Sequence, residues 1–279
     1  MGDSTTGVAA GYLHGFTRSE QDRLYDQARF LEPYVYPGVD FSGCRHLLEI
    51  GCGVGAQTEI LLRLYPKLKI TGVDAAAAQL ERARERHAEN IQKGRVQFQS
   101  ADALRLPFPD GARIPVFDGA YLCWILEHVP NPLAILKEAR RALAPGSPLY
   151  AVEVFNSSFF VAPESPMLMQ YWRAYNELQS ALGADPDVGI RVPGYLHDAG
   201  FRDIRADVRS YLCDRRNPEE RTKFFDYWET LILSGAPQLV ERGTVTSTLV
   251  EQMKLEFNRL RGATDSVFFY TWTQVSGRA

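Results

Sequence analysis

Three glycines, with one other residue between each and the next, separate a short apolar run from an amphipathic segment. Gly51, Gly53 and Gly55 follow residues 46–50, and apolar residues recur at helical spacing from Gln57 onwards. Glycine is needed where a backbone turns sharply, or where a ligand approaches a position that a Cβ would fill. A helix that begins at such a turn presents unpaired N–H groups, which suit a carboxylate or a phosphate. The segment therefore predicts a strand, a ligand-binding turn and a helix.

Two acidic residues beside this unit indicate what it binds. Asp74 ends the next predicted strand, about 20 residues after the glycines, where an acid can accept hydrogen bonds from both hydroxyls of a ribose. The glycines also satisfy the dinucleotide pattern G-x-G-x-x-G/A, so an NAD-dependent reductase is an alternative. Glu49 favours another ligand, because its carboxylate would repel a pyrophosphate and attract a cationic sulfonium amino acid. The pattern thus favours a sulfonium nucleoside.

The complete motif is E-x-G-x-G-x-G, formed by Glu49 and the three glycines. On this motif the chain resembles the class I S-adenosylmethionine-dependent methyltransferases of the small-molecule type. The resemblance covers roughly residues 43–212 and a last strand near 267–275. It implies an α/β fold, namely a Rossmann-like, mostly parallel sheet of seven strands with helices on both faces. Segments of the chain that lie outside this minimal fold predict a helical cap as well. The resemblance also implies S-adenosylmethionine as the cofactor, which would leave as S-adenosylhomocysteine.

The resemblance further implies which residues bind the cofactor. Asp74 would bind the ribose, Asp102 would meet the adenine amino group, and residues 122–124 would line the methionine moiety. The full set implied in this way is Glu49, Gly51, Cys52, Gly53, Gly55, Asp74, Ala75, Asp102, Ala103, Leu122, Cys123 and Trp124.

The chain divides into a core and a cap. We expect an N-terminal helical lid over residues 1–42, a cofactor-binding core over 43–154, a cap insertion over 155–192, more core over 193–212, a second helical cap insertion over 213–265 and a last core strand over 266–279. Thr17 and Glu20 form a capping box for a helix that should end before Pro33. Two readings of this helix stay open: a lid over the ligand, or a helix packed on the edge of the sheet.

Methyl transfer depends mainly on orientation and exclusion of water, and a base is needed only when the nucleophile must lose a proton. His128, after the fourth strand, is the first candidate for this base, and Glu153 and His14 are the others. His128 could instead brace its loop, and Glu153 could be a buried strand residue. The aromatic-rich cap predicts an apolar or aromatic substrate. The candidate substrate-binding residues are Tyr12, Phe16, His128, Asn156, Trp172 and Tyr175.

Composition and charge exclude several classes of protein. The formal net charge of −3 gives no general attraction to nucleic acid. The four cysteines contain no C-x-x-C pair, and the histidines show no ligand spacing, so we expect reduced thiols and no metal. We find neither a signal-peptide pattern nor an apolar run long enough to span a membrane. We therefore expect a cytoplasmic protein that acts without nucleic acid or a membrane, as a monomer or a homodimer.

The sequence as a whole predicts a methyltransferase that acts on an O, N or C atom of a small aromatic or apolar molecule, such as a secondary metabolite of quinone, polyketide or alkaloid type. Three alternatives stay open. A methyltransferase for RNA or protein is disfavoured by the acidic charge, and an NAD-dependent reductase is disfavoured by Glu49. The third alternative is a binding protein that keeps the cofactor site without turnover.

Overall fold

Seven strands pair into a sheet, and ten α-helices surround it in the part of the chain that the structure describes. The computed structural model describes residue 15 and residues 17–279. The strands are β1 (His46–Ile50), β2 (Lys69–Asp74), β3 (Val96–Ser100), β4 (Gly119–Cys123), β5 (Pro148–Ala162), β6 (Arg202–Cys213) and β7 (Val267–Arg278). The helices are α1 (Arg18–Val35), α2 (Ala56–Leu64), α3 (Ala77–Arg86), α4 (Ala88–Gln92), α5 (Pro132–Ala142), α6 (Pro166–Ala181), α7 (Val192–Asp198), α8 (Pro218–Ser234), α9 (Ala236–Glu241) and α10 (Ser247–Gly262).

The strand order is β3-β2-β1-β4-β5-β7-β6. The pairs that join β3, β2, β1, β4 and β5 are parallel, and β7 is antiparallel to both of its neighbours, β5 and β6. The predicted α/β fold, with a seven-stranded and mostly parallel sheet, is confirmed.

Successive residues of a strand point to opposite faces of a sheet, and here both faces are covered. Leu47 of β1 belongs to the buried cluster that includes residues of α1, α2 and α3. Leu48 belongs to a second cluster, with residues of α5 and α7. Burial on both faces explains why β1 reads as a nearly continuous apolar run.

The N-terminal helix begins as predicted but ends later. The Oγ1 of Thr17 accepts a hydrogen bond from the N–H of Glu20 at 3.3 Å, which caps α1. The prediction that this helix ends before Pro33 is wrong, because α1 continues to Val35. Pro33 removes a single N–H from the last turn, the N–H of Tyr36 still bonds to the carbonyl of Glu32, and Val35 is buried.

The fifth strand also exceeds its predicted length. Residues 155–162 were assigned to a cap insertion, but they extend β5 and pair with β7 across an irregularity between Phe155 and Phe160. The cap proper therefore consists of α6 and of α8 to α10. Helix α10 packs against α6 and α8, and the hydroxyl of Tyr171 in α6 donates to the carbonyl of Ile232 in α8 at 2.9 Å.

Candidate active site

A cavity of about 270 Å³ opens at the carboxyl ends of β1, β2 and β4 and extends under the cap. Ligands of open α/β sheets bind at this end of the strands. We call the part lined by the glycine turn, the end of β2 and residues 101–104 the nucleotide half. The part lined by aromatic residues of α6, α8, β6 and β7 is the aromatic half.

The glycine turn needs glycine at all three predicted positions. Gly51, Gly53 and Gly55 have φ angles of 72°, 48° and 78°, in the left-handed region that residues with a Cβ rarely adopt. A Cβ on Gly51 would also lie 2.3 Å from the Cδ1 of Ile125. Gly51 lines the cavity together with Cys52 and Gly53, whereas Gly55 lies behind them as the N-cap of α2.

Asp74 connects the glycine turn to the end of β2. Its Oδ2 accepts a hydrogen bond from the N–H of Gly53 and its Oδ1 accepts one from the N–H of Ala76, both at 2.8 Å. Burial raises the pKa of this carboxyl. Each oxygen keeps further acceptor capacity after one such bond, and the side chain lines the cavity beside Ala75. The geometry therefore fits the two hydroxyls of a ribose.

Asp102 and Ala103 line the same half after β3. The Oδ1 of Asp102 accepts a hydrogen bond from the N–H of Leu104 at 2.9 Å. This bond fixes the Asp102 side chain, which stays exposed. Beyond β4, Cys123 and Trp124 line the cavity, and Trp124 has a φ of 54°. Leu122 was predicted in the same group, but it is fully buried in the core and does not line the cavity.

Glu49 does not present a charge to the cavity, contrary to the prediction. It is buried beneath the turn, where its Oε2 accepts the hydroxyl of Thr58 in α2 at 2.5 Å. Burial raises its pKa to about 8, so at neutral pH the folded protein holds this side chain mostly protonated. Sequence alone could not reveal this, because it shows the acid but not its burial.

Glu153 also lies beneath the cavity and does not line it. Its Oε1 accepts hydrogen bonds from the N–H groups of Ile125 at 3.1 Å and Leu126 at 2.9 Å. Burial, reinforced by the nearby carboxylate of Glu127, raises the pKa of Glu153 to about 8. Its contacts support the structural reading, since the side chain holds the loop after β4 and does not line the cavity.

That loop carries His128, which lines the cavity as predicted. Residues Leu126–His128 form a 3-10 helix. The Nε2 of His128 lies 3.6 Å from the Oε1 of Glu127, and the Oε2 of Glu127 accepts a hydrogen bond from Gln179 of α6 at 2.9 Å. Sequence reasoning missed Glu127, although an acid directly beside the predicted base was a usable signal.

Three predicted substrate-binding residues meet in the aromatic half. Asn156, Trp172 and Tyr175 all line the cavity. The indole of Trp172 donates to the carbonyl of Asn156 at 3.2 Å and stacks on Tyr175 with centroids 5.4 Å apart. Tyr12, His14 and Phe16 lie outside the described residues, so their predicted roles stay predictions.

Several lining residues were not singled out from the sequence. Helix α1 contributes four, which is the placement that the lid reading requires, although α1 also contacts α2. The aromatic residues of α8 belong to the predicted cap, whereas those of β6 and β7 belong to predicted core strands. In these four elements the lining residues that were not predicted are Arg23, Leu24, Gln27 and Leu31 in α1; Tyr211 in β6; Tyr227, Trp228 and Leu231 in α8; and Tyr270 and Trp272 in β7.

Within residue 15 and residues 17–279, no helix combines the length and apolar character that crossing a membrane requires. No three His, Cys, Asp or Glu side chains of these residues are grouped so that they could hold a metal ion.

Known proteins resemble this chain in sequence and in fold. A protein family described as "Methyltransferase domain" matches residues 48–151. The O-methyltransferase cnsE of Penicillium expansum is 30% identical over 215 residues, which span 74% of this chain and 73% of that protein. The O-methyltransferase resE of Aspergillus sclerotiorum is 28% identical over 251 residues, 88% of each chain.

The fold also resembles that of a solved structure, Haemonchus contortus phosphoethanolamine N-methyltransferase 2 with S-adenosyl-L-methionine. The match has a TM-score of 0.58 and covers 94% of this chain and 57% of that one. At 14% sequence identity, it is a likeness of fold.

Proposed function

The chain belongs to the class I S-adenosylmethionine-dependent methyltransferases, and we propose that it methylates an oxygen atom of a small, largely aromatic or apolar molecule. Membership of this family sets aside the NAD-dependent reductase. The relatives named as O-methyltransferases support oxygen as the acceptor atom. The observation that carries the proposal is the continuity of the cavity, which joins the nucleotide half to the aromatic half.

The nucleotide half suits the cofactor, S-adenosylmethionine. The acceptor capacity left on Asp74 would hold the ribose hydroxyls, and Gly51 lines the cavity beside it. Asp102 would accept a hydrogen bond from the adenine amino group. When bound, S-adenosylmethionine supplies a methyl carbon made electrophilic by its sulfonium sulfur. The protein then has to orient the acceptor and exclude water, which are the main contributions to such a transfer.

The loop after β4 would handle the proton of the acceptor hydroxyl. His128 lines the cavity, and the bond from Gln179 to Glu127 ties this loop to α6, the helix that carries Trp172 and Tyr175. We assign to His128 the role of base: its imidazole would take the hydroxyl proton as the O–C bond forms and the C–S bond of the donor breaks, so that the donor would leave as S-adenosylhomocysteine. Glu127, 3.6 Å away, is a positioning residue that stabilises the resulting imidazolium.

Methyl transfer can be tested with S-adenosylmethionine carrying a tritiated methyl group and a panel of aromatic hydroxy compounds. We expect label in the solvent extract for at least one of them, and NMR of the product should place the methyl group on oxygen. The matched control compounds are the corresponding methyl ethers, whose oxygens are blocked. Methylation on carbon or nitrogen would refute the assignment of the acceptor atom. Calorimetric binding of the cofactor with no labelled product from any compound would refute the transfer itself.

The role of His128 can be tested with His128→Asn, which keeps a polar side chain but cannot act as a base. We expect kcat to fall about 100-fold or more, with the affinity for S-adenosylhomocysteine within about twofold of the wild type. His197→Asn is the matched control, because His197 is an exposed histidine on α7. An unchanged kcat in His128→Asn removes this residue from the mechanism.

A further inference from the structure

Three buried hydrogen-bond donors in the aromatic half have no acceptor among the described residues. They are the hydroxyl of Tyr211 and the Nε1 groups of Trp228 and Trp272. The three residues line the cavity and are only 4%, 3% and 2% exposed, respectively. A buried donor without an acceptor is rare and unfavourable in a native protein, so each one needs a physical explanation.

Aromatic crowding alone does not explain why these three donors lack acceptors, because neighbouring hydroxyl and indole N–H groups do have hydrogen-bond acceptors. The hydroxyl of Tyr270 donates to the Oδ1 of Asn156 at 2.8 Å, although Tyr270 is the direct cross-strand partner of Tyr211. The indole N–H of Trp172 also donates, to the main-chain carbonyl of Asn156. The chain therefore supplies acceptors for one set of donors in this half and none for the other.

The unpaired donors belong to one connected group of rings. The rings of Tyr211 and Trp272 stack with centroids 4.0 Å apart. The ring of Trp228 lies 4.5 Å from that of Tyr270, which pairs across the strands with Tyr211. The O–H of a phenol and the N–H of an indole, when they lie within an apolar surface, are complementary to acceptor oxygens on a flat apolar molecule.

The chemistry of the donors limits the ligand. A ligand with donors only would leave both indole N–H groups unpaired, because an indole donates but does not accept. An ionised carboxylate would be costly to bury among aromatic rings with neutral donors. A neutral carbonyl oxygen has two lone pairs and no such cost. The group best matched to these residues is therefore the carbonyl of an aromatic or polycyclic ketone.

We propose that the aromatic half is a subsite for neutral aromatic ketones, in which each carbonyl oxygen accepts up to two of the hydrogen bonds that Tyr211, Trp228 and Trp272 can donate. This inference rests on the proposed function, because it names the class of acceptor substrate for the same cavity. It makes these three residues determinants of specificity, since a site built to pair with a substrate oxygen discriminates against the analogue that lacks it.

The first test compares Tyr211→Phe with Tyr270→Phe in the ligand-free protein. Tyr211→Phe removes an unpaired hydroxyl, so the melting temperature should stay the same or rise. Tyr270→Phe leaves the Oδ1 of Asn156 without this donor, so the melting temperature should fall by about 3 °C. An equal fall in both variants would show that the Tyr211 hydroxyl has a partner, and would overturn the inference.

The second test measures ligand preference with 1-tetralone and tetralin, two probes of nearly equal size that differ by one carbonyl oxygen. Binding is followed by NMR titration, with the fold of each variant checked by circular dichroism. We expect the wild type to bind 1-tetralone about fivefold more tightly than tetralin. The triple variant Tyr211→Phe/Trp228→Phe/Trp272→Phe should bind both probes equally.

Tyr171→Phe is the matched control, because its hydroxyl already has an acceptor in the carbonyl of Ile232 and the residue does not line the cavity; the ratio of the two affinities should stay at the wild-type value. Equal binding of both probes by the wild type, or a preference that persists in the triple variant, would overturn the inference. If the triple variant does not fold, at least one of the three single variants must lower the ratio at least about threefold.

These tests need no turnover and therefore separate the two proposals. Methyl transfer to a hydroxy compound without any ketone preference would refute the subsite and leave the proposed function standing. A ketone preference in a protein that transfers no methyl group would refute the proposed function and leave the ketone-binding subsite standing.

Discussion

Replacement of Glu153 by glutamine should stabilise the protein at neutral pH. The carboxyl of Glu153 is fully buried, its Oε1 accepts the N–H groups of Ile125 and Leu126, and its Oε2 has no partner among the described residues. Burial raises its pKa from the ordinary value of 4.5 to about 8. Glutamine keeps an acceptor oxygen for the two N–H groups and carries no charge at any pH.

The sign and size of the effect follow from proton linkage. Between the unfolded pKa of 4.5 and the folded pKa of about 8, folded Glu153 binds more protons than unfolded Glu153. Its protonation therefore favours folding fully below about pH 4.5, and this contribution is lost as the pH rises to about 8. At pH 7, about 2.5 units above the unfolded pKa, the loss is about 3 kcal/mol, at about 1.4 kcal/mol per unit. Glu153→Gln should abolish this loss.

The prediction can be checked by urea unfolding of the wild type and Glu153→Gln at several values between pH 5 and pH 8. The difference in the free energy of unfolding should be below about 1 kcal/mol at pH 5 and should grow to about 3 kcal/mol at pH 7. Glu49, whose pKa is also about 8, titrates in both proteins and cancels in the difference.

Glu138→Gln is the control for Glu153→Gln. Its carboxylate pairs with Arg141, which lowers the pKa of Glu138, so this substitution should destabilise the protein at neutral pH. A difference between wild type and Glu153→Gln that does not change with pH would refute the reasoning, since a constant offset reports packing and not ionisation.

Three further substitutions test the site and the fold. Asp74→Ala should weaken S-adenosylmethionine binding more than about tenfold in calorimetry while circular dichroism stays native; unchanged affinity would mean that the ribose contact is misassigned. Gly51→Ala adds a Cβ 2.3 Å from Ile125, and should cost more unfolding free energy than Gly146→Ala, which is equally left-handed but meets nothing within 4 Å. Thr17→Ala removes the cap of α1 and should lower the free energy of unfolding by about 1 kcal/mol in urea.

The nucleotide half was largely predictable because it depends on local sequence. The spacing of Gly51, Gly53 and Gly55 and the position of Asp74 at a strand end are readable from neighbouring residues, and the structure places them around one cavity or directly behind it. Glu49 shows the limit of such reading. Its position was identified, but the burial that protonates it depends on the whole sheet.

The aromatic half was less predictable because its residues are distant in sequence. Tyr211, Trp228 and Trp272 come together only when β6, α8 and β7 pack, and no local pattern records which of many aromatic residues will meet. The extension of β5 was missed for a similar reason. Its residues beyond Val154 are held as a strand by pairing with β7, more than 100 residues later in the chain.

The position of β7 has a consequence for the order in which the two ligand sites can form. The strands β1 to β5 follow one another along the chain and pair among themselves, so the donor site requires nothing beyond them in the sheet. Strand β6 pairs with β7, which is the last strand in the chain and lies between β5 and β6. During synthesis, the five strands that carry the donor site are therefore complete while Tyr270 and Trp272 of the acceptor site have still to be added.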